Sequence, residues 1–177
     1  MRLPQLTTPI STTSPTLGRA RIRRERTDMP AVQSTYGLTI AAARAGMIAN
    51  EEQLTNVISR IVDSAGAIGF GKVVVQSSEG DEKIKVPTAG GAFRGITVRD
   101  VTLRPDDNDQ YAVGESAAVL TKGVIWVLPS VAVAAGDPVY FTAAGALTNV
   151  PTSNTQIIGA LWDSAGSGSI LAKLRLA

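Results

Sequence analysis

Few side chains in this sequence have the chemistry that catalysis or metal binding needs. The chain contains no His and no Cys, so the commonest general base, the thiolate nucleophile and the usual transition-metal ligands are missing. Asp106, Asp107 and Asp109 are spaced like the start of a calcium loop. The glycine and the distal glutamate that complete an EF-hand loop are absent, so we interpret the segment as a solvated loop and predict no metal site.

The glycines of the segment GAIGFG, at positions 66, 69 and 71, are superficially similar to a phosphate-binding loop. No Lys-Ser or Lys-Thr pair follows them, and no clear helix follows to direct its N-terminus at a phosphate. We therefore interpret them as turn glycines. A Ser/Lys dyad needs only spatial proximity, and no local signature supports one. The sequence predicts a protein that is not an enzyme, with no cofactor and no small-molecule substrate.

Positive charge is concentrated near the N-terminus. Residues 1–30 contain six Arg against Glu25 and Asp28, a net charge of +4, which leaves −2 for the other residues of a chain whose total is +2. The segment is rich in Thr, Ser and Pro, and its apolar residues are too scattered to build a core. We predict an extended basic arm over residues 1–37, ordered only against a partner, and one domain over residues 38–177.

The arginine cluster of the arm has three interpretations. It is a solvated run of charge, a contact for nucleic-acid phosphates, or a docking element that forms bidentate pairs with acidic side chains of another protein. No aromatic residues are interleaved for base stacking, which counts against nucleic acid. The candidate contact residues are Arg19, Arg21, Arg23, Arg24 and Arg26.

The rest of the chain has the composition of a protein made of short strands. Its 17 Gly and 9 Pro favour many turns, and apolar residues alternate with polar ones along most of residues 70–177. We predict an all-β fold, a small barrel or sandwich of short antiparallel strands with little helix. No apolar run approaches the roughly 20 residues that cross a bilayer. The start of the chain lacks the apolar core of a signal peptide, so we expect neither membrane insertion nor secretion.

The stretch over residues 119–150 organises these strands. Its first strand, predicted over residues 119–128, is apolar from Val124 to Leu128 without a polar break, which indicates that both faces are covered. The second face is covered either by another sheet of the same chain or by a sister subunit. Four residues are accordingly candidates for a core or a subunit interface: Ile125, Trp126, Val127 and Trp162.

Residues 51–63 are ambiguous between helix and strand. The apolar residues of this segment fall at helical spacing, but its second half is rich in β-branched side chains. By periodicity alone neither interpretation is preferred.

Five stretches, taken in order, resemble one protein family. They are ISRIVDSAGAIGFGKVVVQ, FRGITVRDVTL, YAVGESAAVLTKGVIWVL, AVAAGDPVYFTAAGALTN and IIGALWDSAGSGSILAKLRL. Their order and turn glycines are similar to those of the cement, or head-decoration, proteins of tailed bacteriophages, over about residues 44–177. The positions that carry the resemblance are Gly71, Gly95, Arg99, Asp100, Tyr111, Gly114, Lys122, Gly123, Trp126, Gly136, Asp137 and Gly159.

The resemblance implies a β-barrel or sandwich that forms homotrimers on the outer surface of a capsid. Such a protein is made in the host cytoplasm, binds the major capsid protein and stabilises the virion against the pressure of packaged DNA. On this basis we expect residues 57–62 to be extended, with at most a helical turn over residues 51–55, and we expect the arm arginines to contact the capsid. The alternatives are another virion component, such as a tail tube or head fibre, and a nucleic-acid-binding β-barrel with a basic arm.

Overall fold

A computed structural model describes residues 43–50, 55–88, 91–102 and 109–177, all within the compact unit Thr39–Ala177. These ranges contain strands, turns and no helix, which confirms the predicted all-β class. Within them, no helix is available that would be long and apolar enough to span a membrane. The predicted basic arm lies outside the described residues.

The strands are β1 (Ile48–Asn50), β2 (Asn56–Val62), β3 (Ile68–Gly69), β4 (Val73–Gln76), β5 (Lys83–Lys85), β6 (Phe93–Thr97), β7 (Gln110–Tyr111), β8 (Ser116–Val127), β9 (Pro138–Phe141), β10 (Leu147–Thr148), β11 (Thr155–Trp162) and β12 (Ala172–Leu176).

A closed barrel forms the first half of the fold. Its strands pair in the order β8, β2, β5, β4, β6 and back to β8. All of these pairings are antiparallel except that between β2 and β5. Because the ring closes, the barrel has no exposed sheet edge along these strands. The expected extended segment at residues 57–62 is therefore confirmed as β2, whereas residues 51–54 lie outside the described ranges.

A second sheet includes the C-terminal part of β8, residues 123–127. Its order is β10, β9, β11, β12 and β8, and β1 pairs with the same part of β8. β12 pairs with residues 123–127 of β8, whereas β2 pairs with residues 116–122. One continuous strand thus belongs to the barrel at its start and to the second sheet at its end.

A bulge in β8 changes which face of the strand is turned toward each apolar cluster. Asn56 of β2 pairs with Lys122 and Val57 pairs with Leu120, so Thr121 is an extra residue on β8. An extra residue reverses which face the following side chains occupy. Ala117 and Val119 point into the barrel, whereas after the bulge Ile125 and Val127 point to the layer between barrel and second sheet.

Two apolar clusters fill these spaces. The barrel interior contains Val62, Ile68, Phe70, Val74, Ile84, Tyr111, Ala117 and Val119. The layer between barrel wall and second sheet includes Val73, Val75, Ile96, Leu120, Ile125, Val127, Val139, Phe141, Trp162, Ala172, Leu174 and Leu176. The three consecutive valines of β4 are all buried because Val74 faces the first cluster and its neighbours face the second.

The turn that leads into β9 is held by Asp137. Its carboxylate accepts hydrogen bonds from the backbone N–H of Ala134 at 2.9 Å and from Nδ2 of Asn149 at 2.7 Å. These two bonds favour the ionised carboxylate and hold the pKa of Asp137 below its ordinary value of 3.8. The motif AAGDPVY therefore encodes a self-capped turn.

Candidate partner-binding surfaces

The segment of residues 43–47 is fixed against the barrel by two glycines. A Cβ atom at Gly71 would lie 2.8 Å from the backbone N of Gly46, and one at Gly46 would lie 2.8 Å from Cβ of Phe70. Both residues have positive φ, +82° for Gly46 and +67° for Gly71, which a side chain would strain. Only a glycine pair lets the two backbones approach this closely.

Three backbone hydrogen bonds complete the attachment. Gly46 N donates to Trp126 O at 2.8 Å, Trp126 N donates to Met47 O at 2.8 Å, and Arg99 N donates to Gly46 O at 2.7 Å. The segment is thereby joined both to the end of β8 and to the chain that leaves β6. As a result, Arg44 lies beside Arg99, although the two residues are far apart in sequence.

Arg99 is held in place from two sides. Its Nη2 lies 2.6 Å from Oδ1 of Asp109, and its guanidinium lies 5.2 Å from the ring centroid of Phe70. The Phe70 ring packs edge-on against Tyr111, with 5.3 Å between centroids and 86° between planes. Burial raises the pKa of Tyr111, so its hydroxyl stays protonated and donates to the carbonyl of Val98 at 2.7 Å.

These residues border two adjoining depressions, of about 810 and 490 Å³, that both include Arg44 and Arg99 in their walls. We call them together the basic groove. Its charged side chains are Arg44, Lys72, Arg99 and Asp109. Its larger apolar side chains are Met47, Ile48, Phe70, Val98, Val101, Leu128, Leu147 and Leu171.

The basic groove is positive on a body that is otherwise mildly acidic. Among the residues that the structure describes, its lining has three cations and one anion, whereas all residues after position 30 together sum to −2. In the described ranges, neither the Arg44 guanidinium nor the Lys72 ammonium forms an ion pair. Three apolar side chains at its rim are also exposed, Val101 at 85%, Leu128 at 46% and Met47 at 41%. Such a surface fits a partner that brings both carboxylates and apolar side chains.

A second exposed surface lies on β11. Gln156 pairs with Tyr140 and Leu161 pairs with Pro138, so residues 157–160 stand opposite the single residue Val139. We call this segment the β11 bulge. Ile157 and Ala160 point inward and are buried, but Ile158 at the tip is 92% exposed. An isoleucine that is almost fully exposed on a strand bulge is a protruding apolar side chain.

The depression beside the β11 bulge has no charged side chain among its described lining residues. The adjoining depression of about 310 Å³ is bordered by Phe93, Thr121, Gln156, Ile157, Ile158, Leu176 and Ala177. The β11 bulge and the basic groove therefore differ in character. The first is uncharged and convex, and the second is positive and concave.

The residues predicted from sequence lie in three different environments. Ile125, Val127 and Trp162 have almost fully buried side chains in the layer beneath the second sheet. Trp126 is half-buried on the opposite face of β8, with Nζ of Lys173 lying 5.3 Å from its ring centroid. The arm arginines Arg19, Arg21, Arg23, Arg24 and Arg26 lie outside the described residues.

Sequence reasoning missed both surfaces. Arg44 and Arg99 become neighbours only through the contact between Gly46 and Gly71, and no local sequence pattern predicts that contact. The β11 bulge did have a signal, because a glycine inside an apolar strand, as in IIGALW, is typical of a bulge. That signal marks the irregularity but not the exposure of Ile158.

The predicted absence of a metal site concerns a loop that is only partly described. Asp106 and Asp107 lie outside the described residues, and Asp109 pairs with Arg99. In the part of the chain that the structure describes, no three metal-ligating side chains come together.

Comparison with known proteins gives a matching family and several structural neighbours. Residues 32–177 match the profile of a family described as structural cement protein (E217 gp24/Pam3 gp6). A chain of the capsid of Myoviridae phage XM1 is similar in structure, with a TM-score of 0.69 and 17% identity, covering 82% of this chain and 97% of that chain. At this identity the likeness establishes a shared fold.

A second structural match is weaker. The N-terminal base of the head fibre gp8.5 of bacteriophage phi29 aligns with a TM-score of 0.46 and 11% identity, covering 70% of this chain and 95% of that chain. No curated protein sequence matches this chain.

Proposed function

Because this chain belongs to the phage structural cement protein family, we propose that it decorates the outer surface of a capsid shell by binding the major capsid protein. The family match over residues 32–177 is the observation that carries the proposal. A cement protein is a structural component of the virion, so membership of the family argues against an enzymatic role. The chain is thus a virion-associated structural protein.

We propose that it acts as a homotrimer that bridges neighbouring shell subunits and braces them against packaged DNA. Three modest contacts on one trimer act at high effective concentration, so the trimer binds far more tightly than one subunit does. Bridging also means that two shell subunits separate only when a cement contact breaks. The stabilisation therefore scales with the affinity of the trimer for the assembled shell.

The arm arginines are proposed to supply one of these contacts. Residues 1–30 carry a net charge of +4, and guanidinium groups pair with carboxylates in a bidentate geometry. An arm that becomes ordered on binding can also reach beyond the surface that the domain itself covers.

Removing residues 1–30 is expected to leave a folded oligomer that binds cement-free shells at least about tenfold more weakly, since several charge-assisted hydrogen bonds are lost. Binding is measured by co-sedimentation with shells across a salt series. A matched variant with the five arginines replaced by lysine keeps the charge but loses the bidentate geometry, and we expect intermediate binding. Undiminished decoration by the truncated protein would contradict a role for the arm. Tight binding of duplex DNA at about 50 mM salt would favour a nucleic-acid partner instead.

The subunit contact of the trimer is proposed to include the β11 bulge. Interfaces between identical subunits are more apolar than the rest of a protein surface and are depleted of charge at their centre. The β11 bulge and its neighbouring depression meet both criteria. Burying Ile158 in a subunit contact would remove from water an apolar side chain that is 92% exposed.

Ile158→Asp is expected to convert the trimer into monomers, because a buried charge at the centre of each contact lacks a partner. The mass is measured by light scattering, and circular dichroism verifies that the domain remains folded. Ile170→Asp is the matched control, since Ile170 is another exposed isoleucine, at 62%, and the control should remain trimeric. A trimeric Ile158→Asp protein would refute this contact. A wild-type protein that is monomeric, or that grows into open-ended rings, would refute the trimer itself.

A further inference from the structure

We propose that the basic groove binds an acidic segment of the shell protein, with the carboxylates of that segment on Arg44 and Lys72 and its apolar side chains against the groove floor. This inference rests on the proposed function and names the chemistry of the partner at one site. It concerns a surface of the folded domain and is independent of the arm.

The size of the basic groove fits several side chains rather than one. Its two depressions measure about 810 and 490 Å³ and adjoin at Arg44 and Arg99. Sites that enclose a whole small-molecule ligand have volumes of roughly 300–1,000 Å³. A stretch of polypeptide that crosses both depressions would pass directly over the two guanidinium groups.

The charged side chains of the basic groove are available to bind carboxylates. Within the described ranges, the side-chain charges of Arg44 and Lys72 have no ionic partner. The Arg99 guanidinium is already oriented by Phe70 and Asp109, so little further ordering is needed when a ligand arrives. Asp109 keeps its ion pair with Arg99, so the incoming carboxylates pair with Arg44 and Lys72.

The apolar groups of the groove supply the rest of the binding free energy. Val101, Leu128 and Met47 are exposed at its rim, and Leu147 and Phe70 are buried in its floor. Covering such a rim removes apolar surface from water. A purely acidic, fully solvated segment would leave this surface bare, so the segment must also carry apolar side chains.

Two other occupants are disfavoured by charge. The basic arm of this chain has a net charge of +4 over residues 1–30, the same sign as the groove. A second copy that placed its own groove against this one would bring like charges together. An acidic partner is the occupant that complements the groove.

The double variant Arg44→Glu/Lys72→Glu is expected to bind cement-free shells at least about tenfold more weakly than the wild-type protein, since attraction becomes repulsion at two positions. The control is Arg94→Glu/Lys122→Glu, which makes the same change of charge at two exposed residues outside the groove. We expect less than about a threefold loss for the control. Both proteins are checked by circular dichroism and by mass before binding is measured.

The outcomes separate the two proposals. A wild-type protein that does not bind shells refutes the proposed function. A wild-type protein that binds shells, together with a groove variant that binds equally well or no worse than its control, refutes the groove inference alone.

The occupant is identified by placing a photo-crosslinking amino acid at Val101 in the full chain and irradiating decorated shells. A crosslink to a segment of the shell protein rich in Asp or Glu supports the inference. Crosslinks only to residues 1–42, only to the body of another copy, or to a shell segment without acidic residues overturn it, as does the absence of any crosslink.

Discussion

Gly95→Ala is expected to leave little or no folded protein, because the barrel cannot close around an extra carbon atom at this position. A Cβ at Gly95 would lie 2.4 Å from the carbonyl oxygen of Leu120 and 2.5 Å from Cγ1 of Val119. Gly95 also has a φ of +144°, which side chains rarely adopt. Gly95 pairs with Val74 of β4, and its neighbour Ile96 pairs with Leu120 of β8, so the obstruction falls where the ring closes. We expect a loss of at least about 4 kcal/mol, a large part of the total stability of a domain.

The chain offers a matched control for this prediction. Gly66 has almost the same φ, +145°, but a Cβ there would meet nothing within 4 Å. Gly66→Ala should therefore show the cost of backbone strain alone, about 1–3 kcal/mol. For both variants we would measure the soluble fraction and the urea unfolding curve by tryptophan fluorescence. If the two variants unfold at similar urea concentrations, the close approach to β8 is not the reason for glycine at position 95.

Trp162→Ala is expected to cost about 3–5 kcal/mol, the range for removing a large aromatic side chain from a core. Trp162 is only 1% exposed and packs in the layer between barrel and second sheet. Its Nε1 has no hydrogen-bond partner among the residues that the structure describes. Trp162→Phe should therefore cost clearly less than alanine, because part of the lost packing is offset by removal of an unpaired buried N–H.

Trp126→Ala is the comparison variant. Trp126 is half-buried and contacts Lys173 by a cation–π interaction worth about 0.5–1 kcal/mol, and truncation also removes part of its apolar burial, so we expect a total loss of about 2 kcal/mol. Urea unfolding gives these losses, and light scattering on the same samples separates a core role from a subunit role. Equal losses for the two tryptophans would contradict the assignment of Trp162 to the core. A fall in mass for Trp126→Ala would place Trp126 in a subunit contact.

The strand content of the fold was predictable because alternation and turn residues are local properties of the chain. The predicted strand over residues 119–128 corresponds to β8, which begins three residues earlier, at Ser116, and ends at Val127. The uninterrupted apolar run near its end was correctly interpreted as a strand covered on more than one side. The bulge at Thr121, where the strand passes from the barrel to the second sheet, depends on register with β2 and could not be obtained from β8 alone.

The candidate surfaces were not predictable because they depend on contacts between distant parts of the chain. The basic groove exists because Gly46 and Gly71 touch, which brings the segment of Arg44 against the loop of Arg99. Each of these residues alone is an ordinary arginine or turn glycine. Sequence reasoning instead selected the arm arginines, where the local charge density is highest.

The continuity of β8 has a mechanical consequence. Residues 43–47 are hydrogen-bonded to Trp126 near one end of this strand, and the barrel surrounds its other end. A force applied at the basic groove and resisted at the barrel would act along β8. The hydrogen bonds between β8 and its neighbouring strands would then be loaded at the same time and in shear. No flexible linker interrupts that path between residues 116 and 127. Under the proposed function, tension from a bound shell would therefore be carried through one continuous strand that belongs to both sheets.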